Sequence, residues 1–397
     1  MFDPLQLPCG VQLKNRIAKS AMSDSLGDGT GHPTKSQARL YRRWAEGGIA
    51  LSIIGEVQSG PNYAEKPGNL VLDEASDLVR FEELAVQGGV DGAMLWTQLG
   101  HAGAMAFPPT SAPKGPSALD LPGLRCDALT SDEIAKLPSE FARTAQLSQT
   151  VGFHGVQIHA AHGFLLSQFL SPLFNQRQDA YGGSLENRMR LLLETIAAAR
   201  EAVGPRFPIA VKLNATDQLE GGFAEVEALD VIAALDGSSV DLIDVSGGTY
   251  FPGAKSASDA ASNGPYFASF AARARARTKK PLMLAGGFKT RAQAEAVVAE
   301  GVADVVGLAR ALVLEPSLPK KWQAGEAIAL AFPRFRDAPE GGVTAWYTLR
   351  LTALAEGGIV KDEPTDLHEA LKVYEARDQE RTEVWRQHFR LGSVRVR

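Results

Sequence analysis

The chain has 397 residues, of which 45% are hydrophobic and 22% are charged, a composition typical of globular proteins with a large core. Its formal net charge of -5 offers no basic surface for nucleic acid or an anionic membrane, so we expect a small-molecule or protein partner. Cys9 and Cys126 are too few and too far apart for a zinc or iron–sulfur site, so no metal is expected. With neither a secretory pattern nor an apolar run of roughly 18 residues, the sequence predicts a cytoplasmic protein.

Short apolar strands alternate with amphipathic helices along most of the chain. The strands are nearly continuous apolar runs, as in a parallel sheet buried on both faces, and the helices repeat apolar residues every three or four positions. The predicted strands cover 16–22, 48–54, 91–99, 155–159, 208–214, 240–245, 281–286 and 303–309. The predicted helices between them cover 36–47, 74–88, 131–151, 187–203, 224–236, 265–278 and 290–301.

Eight repeats of strand and helix favour a closed (β/α)8 barrel over an open doubly wound sheet. The open sheet would normally carry a GxGxxG turn after its first strand, and none is present. We therefore predict an α/β fold with one TIM barrel over residues 1–325. Residues 326–397 are predicted to form a C-terminal extension, with helices near 343–356 and 366–388, that packs on the barrel or on a neighbouring subunit.

Chemistry in such a barrel lies at the carboxyl ends of the strands. Gly286 and Gly287 follow the seventh predicted strand, and Ala309 and Arg310 follow the eighth. Glycine N–H groups, a helix start and an arginine together form the usual phosphate site of these barrels. Alternatively, the glycines only turn the chain and Arg310 pairs with a surface carboxylate.

Two further polar side chains stand on or at the end of predicted strands. Gln98 can both donate and accept, which suits the edge of a ring with adjacent amide and carbonyl groups. Lys212 would supply positive charge for an anion that forms in a ring. The structural alternatives are a strand-end amide that caps a loop and a buried lysine that pairs with a carboxylate.

His159 and His162 follow the fourth predicted strand. Imidazole donates hydrogen bonds near neutral pH, so this pair could bind an electron-rich oxygen of a small molecule. A metal site is weakly indicated, because no third nitrogen, thiolate or carboxylate ligand lies in the same segment. Two hydrogen-bonded histidines in a packed loop are the plain alternative.

Seven motifs occur in order along the chain. They read KNRIAKSAM at 14–22, TQLGHAG at 97–103, IHAAHGFLLSQFLSPLFNQRQDAYGGSLENR at 158–188, VKLN at 211–214, DVSGG at 244–248, AGGF at 285–288 and ADVVGLAR at 303–310. Together they resemble the old yellow enzyme family of flavin oxidoreductases over about residues 1–325. The stretch from 171 to 188 makes this resemblance specific.

The resemblance implies a barrel that binds FMN, takes electrons from NADH or NADPH and reduces an electron-poor alkene such as an enal or enone. His159 and His162 would bind the carbonyl oxygen of this small-molecule acceptor, and Lys212 would stabilise the reduced flavin. It also implies a homodimer or larger homo-oligomer. The FMN-binding positions implied are Ser20, Ala21, Met22, Ser23, Val57, Gln98, Lys212, Gly286, Gly287, Ala309 and Arg310.

One position departs from the family pattern. The family usually has a proton-donating tyrosine two residues after the second histidine, where this chain has Phe164, a residue at the acceptor site that cannot donate. Tyr63, Tyr250 or water could replace the donor. The alternatives are a reductase for quinones or nitro compounds, a flavin-binding protein without turnover, and a non-redox lyase that forms a Schiff base on Lys212.

Overall fold

Eight parallel strands close into a barrel in a computed structural model that describes residues 1–251, 264–335, 337–357 and 366–389. Each strand pairs with the next along the chain, and the first also pairs with the eighth, which closes the sheet. The predicted (β/α)8 barrel is confirmed. Its strands are β1 (Ile17–Met22), β2 (Leu51–Gln58), β3 (Met94–Gly100), β4 (Val156–Ala160), β5 (Ile209–Asn214), β6 (Leu242–Ser246), β7 (Leu282–Ala285) and β8 (Val305–Leu308).

The helices begin where the sequence supplies capping side chains. Thr34 accepts a hydrogen bond from the backbone N–H of Gln37, and Thr130 forms a capping box with Glu133. The described α-helices are α1 (Lys35–Glu46), α2 (Leu78–Gly88), α3 (Ser131–Thr150), α4 (Leu165–Leu170), α5 (Leu185–Arg188), α6 (Arg190–Val203), α7 (Glu225–Asp236), α8 (Ala268–Arg275), α9 (Arg291–Ala299), α10 (Arg310–Leu314), α11 (Leu318–Gln323), α12 (Gly342–Glu356) and α13 (Leu367–His388). None of these described helices has the length and apolarity needed to cross a membrane.

The interior of the barrel is apolar near the amino ends of the strands and polar near their carboxyl ends. Trp96, Leu242 and Met283 fill the apolar part together with Leu7 and Leu13. An antiparallel hairpin pairs Leu5–Gln6 with Gln12–Leu13, so Leu13 belongs to this hairpin and Leu7 directly follows its first strand. A filled amino end leaves the carboxyl end as the place where a ligand can bind.

β2 ends four residues later than predicted. The expected strand at 48–54 is observed at Leu51–Gln58, with a bulge between Ile54 and Val57. Val57 and Gln58 pair with Leu99 and Gly100 of β3 and with the short strand Leu70–Val71. These partners extend the strand through residues whose polarity predicts a loop.

The long motif at 171–188 forms a supporting loop. Arg177 donates to the carbonyl oxygens of Pro116 (3.0 Å) and Leu129 (2.9 Å), and Arg188 donates to Leu170 and pairs with Glu227. Arg177 thereby ties the loop to a small sheet of Lys114–Gly115, Leu119–Leu121 and Leu124–Ala128. The most specific motif of the sequence therefore fixes the surroundings of the site.

The two helices predicted in the C-terminal extension are confirmed. α12 packs against α1, where Arg39 and Arg43 donate to the last carbonyl groups of α12. α13 packs against α12 and buries Trp385 beside Ala64 and Val71, in and after the loop that follows β2. The basic VRVR segment at 394–397 ends the extension that we predicted to pack on the barrel or on a neighbouring subunit, and it lies outside the described residues.

Candidate active site

A chain of hydrogen bonds crosses the polar part of the barrel interior. Gln98 donates to Gln157 (2.7 Å), Gln157 donates to Asp244 (3.0 Å), and Lys212 Nζ lies 3.0 Å from the same carboxylate oxygen. Strand register places Gln98 beside Gln157 and Lys212 beside Asp244. All four side chains are buried. The ion pair considered for Lys212 as a structural alternative is therefore present, with Asp244 as its partner.

Some polar atoms in this part of the barrel lack a partner. Ser20 Oγ and Asp244 Oδ1 are buried, and no hydrogen bond from the described residues satisfies them. Gly307 lies next to Ser20, and a Cβ at Gly307 would come within 2.4 Å of the serine oxygen. Buried polar atoms are normally hydrogen-bonded, so these unpaired atoms indicate a site for a polar ligand.

His159 and His162 lie in a second chain of polar side chains at the mouth of the barrel. Glu56 Oε1 is 2.7 Å from His159 Nδ1, His159 Nε2 is 3.0 Å from His162 Nδ1, and His162 Nε2 is 2.8 Å from Ser246 Oγ. The two imidazoles therefore contact each other. Of the four ring nitrogens, His162 Nε2 lies at the end of the chain opposite Glu56.

Burial determines the protonation states of Glu56, His159 and His162. It lowers the pKa of His159 to about 3 and that of His162 well below its usual value, and the charge on Lys212 adds to both shifts. Burial also raises the pKa of Glu56 to about 8, although the charge on Lys212 opposes that shift. At neutral pH both imidazoles are uncharged, so each carries one N–H donor and one acceptor nitrogen.

Two of these polar residues, Glu56 and His162, have strained backbone conformations. Glu56 has φ +59° and His162 has φ +60°, values in the left-handed region that glycine favours. Asn214 accepts a hydrogen bond from the backbone N–H of His162 (3.0 Å), which helps to hold it there. Such strain costs on the order of 1–3 kcal/mol and occurs mostly at functional sites, where the surrounding structure maintains it.

The candidate proton donors are arranged differently from one another. The Tyr63 hydroxyl group donates to Glu140 on α3 (2.9 Å), and its ring stacks on His101. Tyr250 is 64% exposed, and its ring centroid is 5.8 Å from that of His162. Phe164 is buried, with its ring centroid 4.9 Å from that of His159.

The ends of β7 and β8 have features of an anion site. Gly286 and Gly287 both have left-handed φ values, +94° and +85°. A Cβ at Gly287 would collide with the backbone of Gly264, so the turn requires glycine. Arg310 follows Ala309 at the start of α10 and lies over the Tyr347 ring, 5.7 Å from its centroid. No carboxylate among the described residues pairs with Arg310, so its charge is available to a ligand.

The remaining cofactor candidates lie on or next to β1 and β2. Ala21 and Met22 are half-buried, and Ser23 is exposed just beyond β1. The side chain of Val57 packs in the apolar layer between the barrel and its helices. Only the backbone of Val57 can therefore line the mouth of the barrel.

Sequence reasoning missed four residues of the site, which are Glu56, Gln157, Asp244 and Ser246. Gln157 lies two positions before His159, so the strand period places both on one face. Ser246 is aligned with Asn214 by strand register. Glu56 lies beyond the predicted end of β2, and only a polar residue directly after an apolar strand could have drawn attention to it.

Comparisons with known proteins agree with this architecture. The chain matches the model of the NADH:flavin oxidoreductase / NADH oxidase family over residues 1–328. It is 33% identical to an NADH-dependent flavin oxidoreductase from Hypocrea jecorina (strain QM6a), over 80% of this chain and 87% of the relative. Another, from Neonectria sp. (strain DH2), is 34% identical over 80% of this chain and 46% of the relative.

Among solved structures, a complex of 2-naphthoyl-CoA reductase with 2-naphthoyl-CoA is similar, with a TM-score of 0.78 and 27% identity. That match covers 82% of this chain and 52% of the reductase. This chain thus spans about half the length of two of these three relatives and most of the third. The family match includes all eight barrel strands and both series of hydrogen-bonded polar side chains in the barrel. The chain belongs to the NADH:flavin oxidoreductase / NADH oxidase family, the old yellow enzyme family of flavin-dependent NAD(P)H oxidoreductases.

Proposed function

We propose that this chain binds FMN, takes electrons from NADH or NADPH and reduces electron-poor alkenes such as enals and enones. The observation that carries the proposal is the pair of uncharged histidines at the carboxyl end of β4, next to the buried Lys212. It is supported by family membership and by NADH-dependent relatives. A homodimer or larger assembly remains part of the proposal.

The residues at the barrel mouth fit FMN. Within the described part of the chain, Ser20 Oγ and Asp244 Oδ1 are buried without a hydrogen-bond partner, and the turn at Gly286 and Gly287 leaves backbone room beside Arg310, which no described carboxylate pairs. When bound, FMN would accept two electrons from the nicotinamide and supply a hydride to the acceptor. Residues that would hold it are Ser20, Ala21, Met22, Ser23, the backbone of Val57, Gln98, Lys212, Gly286, Gly287, Ala309 and Arg310.

The chain's own contribution to the reaction begins at His162. Its Nε2 atom would leave Ser246 and donate to the carbonyl oxygen of the acceptor, with His159 fixed behind it. This hydrogen bond draws electron density from the alkene and stabilises the negative charge that develops on the oxygen. Burial strengthens the effect, because water screens it less.

Phe164 supports a second candidate function. Because it cannot donate a proton, acceptors that need no protonation at carbon, such as quinones or nitro compounds, fit the same site. The lyase alternative has less support, since Lys212 is committed to the ion pair with Asp244 and an ammonium group in an ion pair is not a nucleophile.

An acceptor panel tests the proposal. We expect the FMN-loaded protein to be bleached by NADH or NADPH without oxygen, and to be reoxidised by a cyclic enone and an enal. His162→Gln should slow reoxidation by the enone about 10²- to 10³-fold, the usual effect of removing a donor to a developing oxyanion. His368→Gln, at an exposed position of α13, is the matched control.

Two results would contradict the proposal in different ways. Reoxidation by a quinone and a nitroarene but by no alkene would favour the second candidate function. A protein that binds no FMN would exclude both the alkene reductase and the second candidate function.

A further inference from the structure

A buried carboxyl group, Glu56, lies at the inner end of the histidine chain. We propose that Glu56 supplies the proton for alkene reduction and passes it through His159 and His162 to the oxygen of the acceptor. This inference rests on the proposed function, because it names the proton source of that reaction. Glu56 does not touch the acceptor, so it acts through the two histidines.

Each link of the chain can carry a proton. Glu56 Oε1 lies 2.7 Å from His159 Nδ1 without the alignment of a hydrogen bond, and a protonated Glu56 that turns slightly can give its proton to this nitrogen. His159 Nε2–H then donates to His162 Nδ1, and His162 Nε2–H points to Ser246 or to an acceptor that takes its place. With Glu56 ionised, the proton lies on His159 Nδ1, and the two hydrogen bonds of 3.0 and 2.8 Å are satisfied with both directions reversed. The geometry thus accommodates the chain before and after transfer of one proton.

The surroundings of Glu56 favour its protonated form. The Gln58 amide group is satisfied when its NH₂ donates to the carbonyl oxygens of Tyr63 (3.2 Å) and Gly100 (2.6 Å). The amide atom that lies 3.3 Å from Glu56 Oε2 is then the oxygen, and an oxygen there disfavours a negative charge on the carboxyl group. Burial acts in the same direction and raises the pKa of Glu56 to about 8.

Alkene reduction by this route uses one hydride and one proton. FMN, when bound, would supply the hydride for the new C–H bond at the β-carbon of the alkene, whose electron pair would move to give an enolate. His162 Nε2–H breaks and an O–H bond forms on the enolate oxygen, while His159 reprotonates His162 and Glu56 reprotonates His159. The product leaves as an enol that tautomerises in water, and Glu56 regains its proton from solvent.

Two of the other candidate donors are not free to give a proton. Phe164 has no proton to give, and the Tyr63 hydroxyl group is bound to Glu140. Tyr250, exposed and close to the His162 ring, is the competing donor. Glu56 has a left-handed backbone conformation, and strain of this kind is maintained mostly at functional positions.

A pH dependence follows from the protonation of Glu56. Wild-type reoxidation by an enone should be fastest below about pH 8, where Glu56 is protonated, and should fall above it. This fall should be absent in Glu56→Gln. The titratable or charged groups that face or act on Glu56 are His159 from β4, Lys212 from β5, Glu65 in the loop after β2, and Tyr250 in the loop after β6.

The test compares three variants of the FMN-loaded protein. Glu56→Gln keeps the shape of the side chain but removes its acid, and Glu56→Asp restores an acid. Glu194→Gln is the matched control, because it makes the same change on α6 at a carboxylate that accepts a hydrogen bond from the Tyr181 hydroxyl group. We expect Glu56→Gln to slow reoxidation by an enone about 10²-fold, since positioned acids contribute about 10²- to 10⁴-fold. Reoxidation by ferricyanide, which needs no proton through the histidines, should keep its wild-type rate.

Infrared difference spectra provide a readout independent of turnover. At pH 7, wild type minus Glu56→Gln should show the carbonyl band of a protonated carboxylic acid, and wild type minus Glu194→Gln should not. The inference is overturned by absence of that band, or by enone rates and pH profiles of Glu56→Gln equal to wild type. A wild-type enzyme that reduces no alkene overturns the proposed function, whereas the infrared band still reports on Glu56.

Discussion

Phe164 is the residue whose chemistry most directly affects the product. Its ring is buried against Ala102, Ala106 and Met105, and it lies 4.9 Å from the His159 ring between centroids. If the proton reaches the enolate oxygen, the α-carbon is protonated only later, in water. The new hydrogen at the α-carbon should therefore be added to either face, whereas the hydride is added to only one face of the β-carbon.

Phe164→Tyr should change this outcome. Reduction of an α-substituted enone by the wild type should give a product racemic at the α-carbon, and Phe164→Tyr should give one enantiomer in excess, because a tyrosine hydroxyl group can protonate the α-carbon directly. Chiral chromatography of the product, sampled before it racemises in buffer, measures both. Phe164→Leu, which adds no donor, is the control, and a wild-type product of one α-configuration would contradict the expectation.

At the residue scale, the positions of the predicted strand ends were enough to predict much of the site. Gln98, Lys212, His159 and His162 follow from the rule that barrel chemistry lies where parallel strands end. Their partners do not follow from that rule, because hydrogen-bond contacts depend on side-chain conformations and on neighbours distant in sequence. The contact between Glu56 and His159 joins residues about a hundred positions apart.

At the element scale, hydrophobic periodicity predicted every barrel strand and the long helices. It failed at the end of β2, because Glu56 and Gln58 are polar and read as a loop. They are paired as a strand only because β3 and the segment Leu70–Val71 lie alongside them. Such pairing depends on tertiary structure, which local periodicity does not contain.

α13 is the element whose attachment can be tested separately from the barrel. Trp385 is fully buried between Ala64 and Val71, and Arg381 donates to the carbonyl oxygen of Ser25 (2.6 Å). Removing a buried tryptophan costs about 3–5 kcal/mol. Since few other buried side chains hold this end of the helix, the loss should fall mainly on its attachment.

We expect Trp385→Ala to loosen α13 and leave the barrel folded. Hydrogen exchange followed by mass spectrometry should show faster exchange in α13 and in the loop after β2, with unchanged protection of β4 to β6. Val384→Ala, at the neighbouring position that is 40% exposed, is the matched control. Equal loss of protection throughout the barrel would show that α13 unfolds only with the whole domain.

At the scale of the whole molecule, the count of eight repeats predicts that the barrel closes. It does not predict how closure changes the pKa values of the groups inside. Closure buries His101, His159 and Glu56, and it half-buries His162 and Glu65. Burial lowers the pKa of His101 and His159 to about 3 and that of His162 well below its usual value. Burial raises the pKa of Glu56 to about 8 and that of Glu65 to about 7.

These groups affect stability in opposite directions as pH falls. Between about pH 6.5 and pH 3 the unfolded chain binds protons that the buried histidines do not, so each histidine lowers the free energy of unfolding by on the order of 1 kcal/mol per pH unit. The two carboxyl groups keep protons that the unfolded chain loses above about pH 4.5, so they add stability as the pH falls toward that value. Below it their contribution is constant.

Three histidines act against two carboxyl groups, so wild-type stability should fall by on the order of 1 kcal/mol per pH unit from pH 6.5 to 4.5 and more steeply below. Glu56→Gln removes one opposing contribution, because glutamine binds no proton, so its stability should fall more steeply with decreasing pH in the upper window. Urea unfolding midpoints across this range, with Glu194→Gln as the control, measure the difference. Equal slopes for wild type and Glu56→Gln between pH 4.5 and 6.5 would show that folding does not keep Glu56 protonated, and the proton relay would lose its source.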